Sequence, residues 1–155
     1  KAYKKSYIEI VQVSYLRSKL KPLEKESIEK LISVNPYTRG LKKMMLAFIE
    51  EEQKNANQLY IEAIENLEHI KYYCVEAQYF YSKFLYENGS DDFLTIYQAG
   101  LALTKKHHYR YLQYLFEGLL NPKIDNYDSK NYPLPNNEDF SDYVQGLIKD
   151  NKKNR

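Results

Sequence analysis

Three histidines, one cysteine and a few clustered carboxylates are the side chains on which catalysis or metal binding would have to be built in this chain. His107 and His108 are adjacent, and neighbouring residues on a helix point about 100° apart, so the two do not close on one metal as an i, i+4 pair does. They follow Lys105 and Lys106, where cations at a helix end complement its macrodipole, and His69 stands apart. No metal site is expected. Glu50-Glu51-Glu52 and Asp91-Asp92 are paired acids without a neighbouring His, Cys or Lys constellation, and read as a solvated face and a helix start. The glycines, Gly40, Gly89, Gly100, Gly118 and Gly146, are isolated and form no phosphate loop. Cys74 has no basic activator beside it and reads as a buried structural thiol. The reading is therefore of a protein that is not an enzyme and holds no cofactor.

Two further features bear on binding. Seventeen tyrosines are present, and Tyr72, Tyr73, Tyr79, Tyr81, Tyr109, Tyr111 and Tyr114 crowd one part of the chain; an apolar body with a polar tip suits most of them to a core edge and the rest to a binding surface. Lys105-Lys106-His107-His108-Tyr109-Arg110-Tyr111 mixes bases with aromatics as single-stranded nucleic-acid sites do. One such cluster in a chain of net charge +2 argues weakly for nucleic acid. The charge is unevenly spread: residues 1–43 hold eleven Lys/Arg against four Asp/Glu, residues 44–100 three against ten, and residues 101–155 nine against seven. Such a polarised chain invites head-to-tail contact between copies.

The elements that would position these side chains are helices. From Asn55 to Ile70, Ala56, Leu59, Tyr60, Ala63, Ile64, Leu67 and Ile70 fall on one stripe, with Gln58, Glu62, Glu65 and Asn66 opposite. Asp92 to Lys106 repeats the design with Phe93, Tyr97, Gly100, Leu101 and Thr104, and Val75 to Tyr86 is apolar or aromatic almost all round. Tyr3 to Lys19 and Tyr109 to Leu120 read as further helices. Pro22 and Pro36 suit first helical turns, Asn35 is an N-cap before Pro36, and Asn88-Gly89-Ser90-Asp91 reads as a stop followed by a start. The expected organisation is a helical domain over 1–120, an extended connection over 121–136, a C-terminal capping helix over 137–150 built on Phe140, Tyr143, Val144, Leu147 and Ile148, and a flexible tail over 151–155.

The helices resemble one another. Leu59-Tyr60-Ile61-Glu62-Ala63-Ile64 matches Ile96-Tyr97-Gln98-Ala99-Gly100-Leu101 at an offset of 37, and Phe48-Ile49-Glu50-Glu51 matches Phe84-Leu85-Tyr86-Glu87 at 36. Leu23 to Ile28 supplies a third copy, making Ser27, Ala63 and Gly100 equivalent small positions where a neighbouring helix approaches closely. With Ala56, Tyr60, Ala63, Ser82, Gly89, Tyr97 and Gly100 at these places, the stretch from Leu23 to Leu120 resembles the tetratricopeptide repeat family. Its period is longer than that family's usual 34 residues, and Met44 and Phe93 are large where small residues are expected.

The resemblance implies an all-α fold of stacked antiparallel helix hairpins, a solenoid whose first helices line a groove for an extended peptide or a helix. Carried onto this chain, the groove-facing positions are Lys43, Glu50, Tyr79, Lys83 and Tyr86, with Arg110 contributing from the following helix. The family's carboxylate clamp of Lys, Asn and Arg is not recognisable, which argues against a C-terminal tail as ligand. The expected partner is a protein or peptide; a homo-oligomer is the alternative, and a nucleic-acid site stands below both. An unpaired cysteine and the lack of any apolar run of about 20 residues point to the cytoplasm and away from a membrane. The start at Lys1 without a methionine suggests a piece of a longer regulatory protein, by analogy its sensing end.

Overall fold

A computed structural model of the chain describes residues 2–121, and among them every regular element is helical: α1 Ala2–Ser18, α2 Lys25–Glu29, α3 Pro36–Ile49, α4 Gln53–Asn66, α5 Lys71–Glu87, α6 Phe93–Lys106 and α7 Arg110–Leu120. The connection, capping helix and tail expected beyond Asn121 lie outside the described residues. The chain divides into two compact units, Lys1–Ile96 and Tyr97–Arg155, with the boundary inside α6.

In the first unit α3 and α4 pair antiparallel. Asn35 opens α3 with a capping box: its side chain accepts the Thr38 N–H at 2.9 Å, the Thr38 hydroxyl accepts the Asn35 N–H at 3.2 Å, and Pro36 fills the first turn. Three residues, Glu50 to Glu52, then turn the chain into α4. Contacts run in reverse order along the pair, Gly40 against Leu67 at one end and Lys43 against Glu62 nearer the turn, where the ion pair is 2.6 Å long. The α4–α5 pair follows the same rule, with Cys74 near the Ile64 carbonyl, Tyr81 donating to Asn57 at 2.7 Å, and Gln53 bonded to Asn88. Here Leu41, Met44, Met45, Ala63, Leu67 and Ala77 are fully buried, and each large aliphatic side chain so removed from water contributes about 1.5–3 kcal/mol.

Helix α1 runs in the same direction as α3 and α5 and touches both. Gln12 reaches Tyr73, Tyr15 reaches Tyr73 and Glu76, and Lys19 reaches Glu76, so contacts advance together along α1 and α5. The α3–α5 contacts advance likewise, from Tyr37 with Tyr73 to Phe48 with Phe80. Three co-directional helices with α4 opposed give the first unit its core.

Two expectations need correction at the start of the chain. Pro22 lies in the irregular stretch before α2, not in its first turn, and Ser27 is exposed rather than a contact point. Helix α2 is five residues long, lacks a side-chain cap and buries only Ile28. A segment as polar as Lys25 to Glu29 has one apolar anchor to hold it, too little for a full repeat helix.

The small positions that do admit close approach are Gly40, Ala63 and Gly100. A Cβ on Gly40 would stand 2.5 Å from Leu67 Cγ, and one on Gly100, within the second unit, 2.4 Å from Phe116 Cζ. Gly118 has nothing within 4 Å of such an atom. Gly40→Ala is expected to destabilise by about 1–3 kcal/mol through overpacking, whereas Gly118→Ala stabilises by about 0.5–1 kcal/mol because α7 gains a better helix former. Urea unfolding of the two variants checks the opposite signs.

The second unit is built on Tyr97, Gly100 and Thr104 of α6 against Leu112 and Phe116 of α7, with Tyr97 and Phe116 edge to face at 6.0 Å. Helices α5 and α6 end alike. Gly89 and His108 both take positive φ, 62° and 58°, and the next residue's N–H returns to the carbonyl five back, Ser90 to Leu85 and Tyr109 to Thr104, each at 2.9 Å.

Candidate binding cleft

The polar centre of the first unit is a buried carboxylate that the sequence reading passes over. Glu76 is 4% exposed, and its two oxygens are taken by the Tyr15 hydroxyl and by Lys19 Nζ, the latter at 3.0 Å. Lys19 also lies 5.0 Å over the Tyr15 ring, a cation–π contact. Burial, then the charge and hydrogen bond of Glu76, push the Tyr15 phenol far above its ordinary range. Tyr15 itself stacks on Phe48 and meets Tyr73 edge-on, so α1 is seated between α3 and α5 by one aromatic ring and one ion pair. Helix α1 thus covers part of the face that α3 and α5 share.

What stays open lies where α1 stops. Ser18 and Lys19 end that wall, while α3 and α5 continue for another turn and leave a cleft of about 270 Å³. Ala47, Phe48, Phe80 and Phe84 give it an aromatic lining, with Phe48 and Phe80 edge to face at 4.9 Å. Lys19, Glu50, Lys83 and Glu87 supply charges of both signs around it. Glu50 is oriented by the turn after α3, accepting the Glu52 N–H at 3.0 Å, and Lys83 lies 3.9 Å from Glu87 on α5. Glu50 also borders a second cleft of about 490 Å³, lined by Leu46, Ile49 and Leu59 with Lys25, Glu29 and Glu51.

Of the residues expected to face a ligand, the fold brings Glu50 and Lys83 together in the smaller cleft. Lys43 points across the hairpin to Glu62, and that pairing, with a hydrogen bond from Gln58, holds the Glu62 carboxyl below its ordinary range. Tyr79 packs edge-on to Phe80, and Tyr86, half exposed, packs on Phe93 at 5.1 Å. Arg110 belongs to the second unit, where it donates to Gln113 at 3.1 Å. The tyrosine cluster divides in the same way, four on α5 and three at the start of the second unit's α7.

Among the described residues no three His, Cys, Asp or Glu side chains are grouped to hold a metal ion, and no helix is long and apolar enough to cross a membrane. Cys74 is buried and unbonded to any other cysteine, and burial pushes its thiol upward. Because the thiolate is the reacting form, a maleimide should modify native Cys74 at least about tenfold more slowly than the urea-unfolded chain. Equal rates, read by mass spectrometry, would contradict the packing of α5 on α4. Comparison with protein-family models, curated proteins and solved structures finds no match to this chain.

Proposed function

We propose that this chain is a non-catalytic, cytoplasmic protein- or peptide-binding module, its paired helices of the tetratricopeptide type, serving as the sensing or interaction end of a larger regulatory protein. The cleft at the end of α1 carries the proposal. Its volume is below the roughly 300–1,000 Å³ of small-molecule pockets and matches one large side chain, and its aromatic walls suit an apolar anchor. Lysine and glutamate in equal number on its border favour a segment that flanks the anchor with both signs of charge, and do not favour a polyanion such as nucleic acid. The repeat at 36–37 residues supports the paired-helix reading through Ala63 and Gly100, both buried at helix contacts.

Peptides selected by display against the full chain, carrying one Phe, Leu or Trp between charged residues, should bind with micromolar Kd. Lys83→Ala and Glu50→Ala should each weaken them about tenfold, equivalent to about 1.4 kcal/mol, as measured by fluorescence anisotropy. Affinity unchanged in both variants, or amide shifts that map away from Phe48, Phe80 and Phe84, would refute the assignment.

A further inference from the structure

Helix α1 is apolar on two sides. Val11 and Tyr15 are buried toward α3 and α5, while Ile10, Val13 and Leu16 stand 50%, 46% and 46% exposed, and Leu20, in the turn just past the helix, 88%. At 100° per residue the three on the helix fall within a strip about 120° wide on the side away from the core, with Ser6, Glu9 and Arg17, all exposed, inside the same strip. A surface helix ordinarily turns charge outward, so three aliphatic residues there mark a face that another surface covers.

The order of residues on the strip identifies the occupant. We infer that this face pairs with the same face of a second copy, the two α1 helices antiparallel about a two-fold axis through Val13. In that register Ile10 comes level with Leu16 of the second copy and Glu9 with its Arg17, because each pair is equidistant from residue 13. Apolar therefore meets apolar and acid meets base, twice, by symmetry. A parallel pairing sets Glu9 level with Glu9 and Arg17 with Arg17, which repel. An isologous contact of this kind closes at two subunits and leaves nothing to extend.

The strip is of the order of the largest apolar patch on a typical monomer, about 300–600 Å². Two of them face to face reach only the lower edge of stable interfaces, about 1,200 Å² in total. The dimer is accordingly weak and concentration-dependent, with Kd of order 10–100 µM. It uses none of the residues lining the aromatic cleft and stands whatever that cleft binds.

Sedimentation of the full chain from about 5 µM to 1 mM should show a monomer–dimer equilibrium. Val13→Glu puts two carboxylates on the axis and should weaken it at least tenfold, with the thermal midpoint confirming that this half-exposed position leaves the fold intact. Arg17→Glu and Glu9→Arg should each weaken the dimer, and the double variant Glu9→Arg/Arg17→Glu should restore it. Mild oxidation of Val13→Cys should give a disulfide-linked dimer, while Ile10→Cys alone should not. A chain that stays monomeric to 1 mM, a dimer indifferent to Val13→Glu, no recovery in the double variant, or species growing beyond two subunits would each overturn the inference.

Discussion

Above pH 10 the folded chain is expected to lose stability steeply, by about 4 kcal/mol at pH 11.5. Tyr15 and Tyr60 are 1% and 5% exposed, and burial holds both phenols far above the ordinary value near 10. Tyr37 shifts in the same direction from burial and its bond with Tyr73. In the unfolded chain these groups ionise normally. A phenol whose folded pKa is raised contributes stability that is fully present below pH 10 and is lost as pH rises, because only the unfolded state releases the proton. Each such group costs about 1.4 kcal/mol per pH unit above 10, so Tyr15 and Tyr60 together remove about 2.7 kcal/mol per unit. Over two such units the loss is about 5.4 kcal/mol, the whole margin of a domain at the low end of the usual 5–15 kcal/mol. Urea midpoints at pH 8, 9.5, 10.5 and 11 measure the slope, and absorbance at 295 nm counts the phenols that ionise before unfolding. A flat profile through pH 11 would show that these rings are not sealed in the core.

Glu76→Ala should be among the most destabilising single substitutions in the chain, at about 3–5 kcal/mol, the cost of breaking a buried pair by removing one partner. The loss is chiefly that of the Tyr15 hydroxyl, left buried and unpaired, since Lys19 retains water access with a quarter of its side chain exposed. That asymmetry separates the contributions. Lys19→Met leaves the Glu76 carboxylate buried without its counter-charge and should cost about 3–5 kcal/mol, and Tyr15→Phe about 1.5–3 kcal/mol, the value of a hydrogen bond to a charged group. Glu76→Gln keeps an acceptor for the phenol and should fall below Glu76→Ala. In Tyr15→Phe/Glu76→Leu no polar group is stranded, so the double variant should be more stable than the sum of its parts predicts. Strict additivity in that cycle would mean that the two side chains do not interact.

The second effect arises from the residue that sequence reasoning had least means to find. A glutamate in the middle of a helix reads as solvated, and nothing near Glu76 in the chain marks it as buried, because its partners lie 57 and 61 residues earlier. Local signals fared better. The cap at Asn35-Pro36, the stop at Asn88-Gly89 and the stripe through Ala56, Tyr60, Ala63 and Leu67 are decided by neighbours within one or two turns, and the helices form where those signals lie. Glu50 and Lys83 converge for a similar reason, each standing near the C-terminal end of one of two co-directional helices. Lys43 illustrates the limit: expected to face a ligand, it stands on α3 with its long side chain on Glu62, a choice of neighbour that periodicity does not encode. Ser27 illustrates another, since a small residue is a contact point only if a helix comes to meet it.

The seating of α1 also sets an order of events. The α3–α4 and α4–α5 pairs join residues about 20–35 positions apart, as with Gln53 and Asn88, so these helices can zip together soon after they exist. Helix α1 leaves the ribosome before α3, α4 and α5, yet its ring and its lysine have nowhere to dock until Glu76 and Tyr73 have followed. Throughout that interval both of its apolar sides face water, and the helix is a natural client for whatever shields nascent chains. A helix made before α3, α4 and α5 is therefore folded in after them, and the polar lock at its end doubles as the signal that those three are in place.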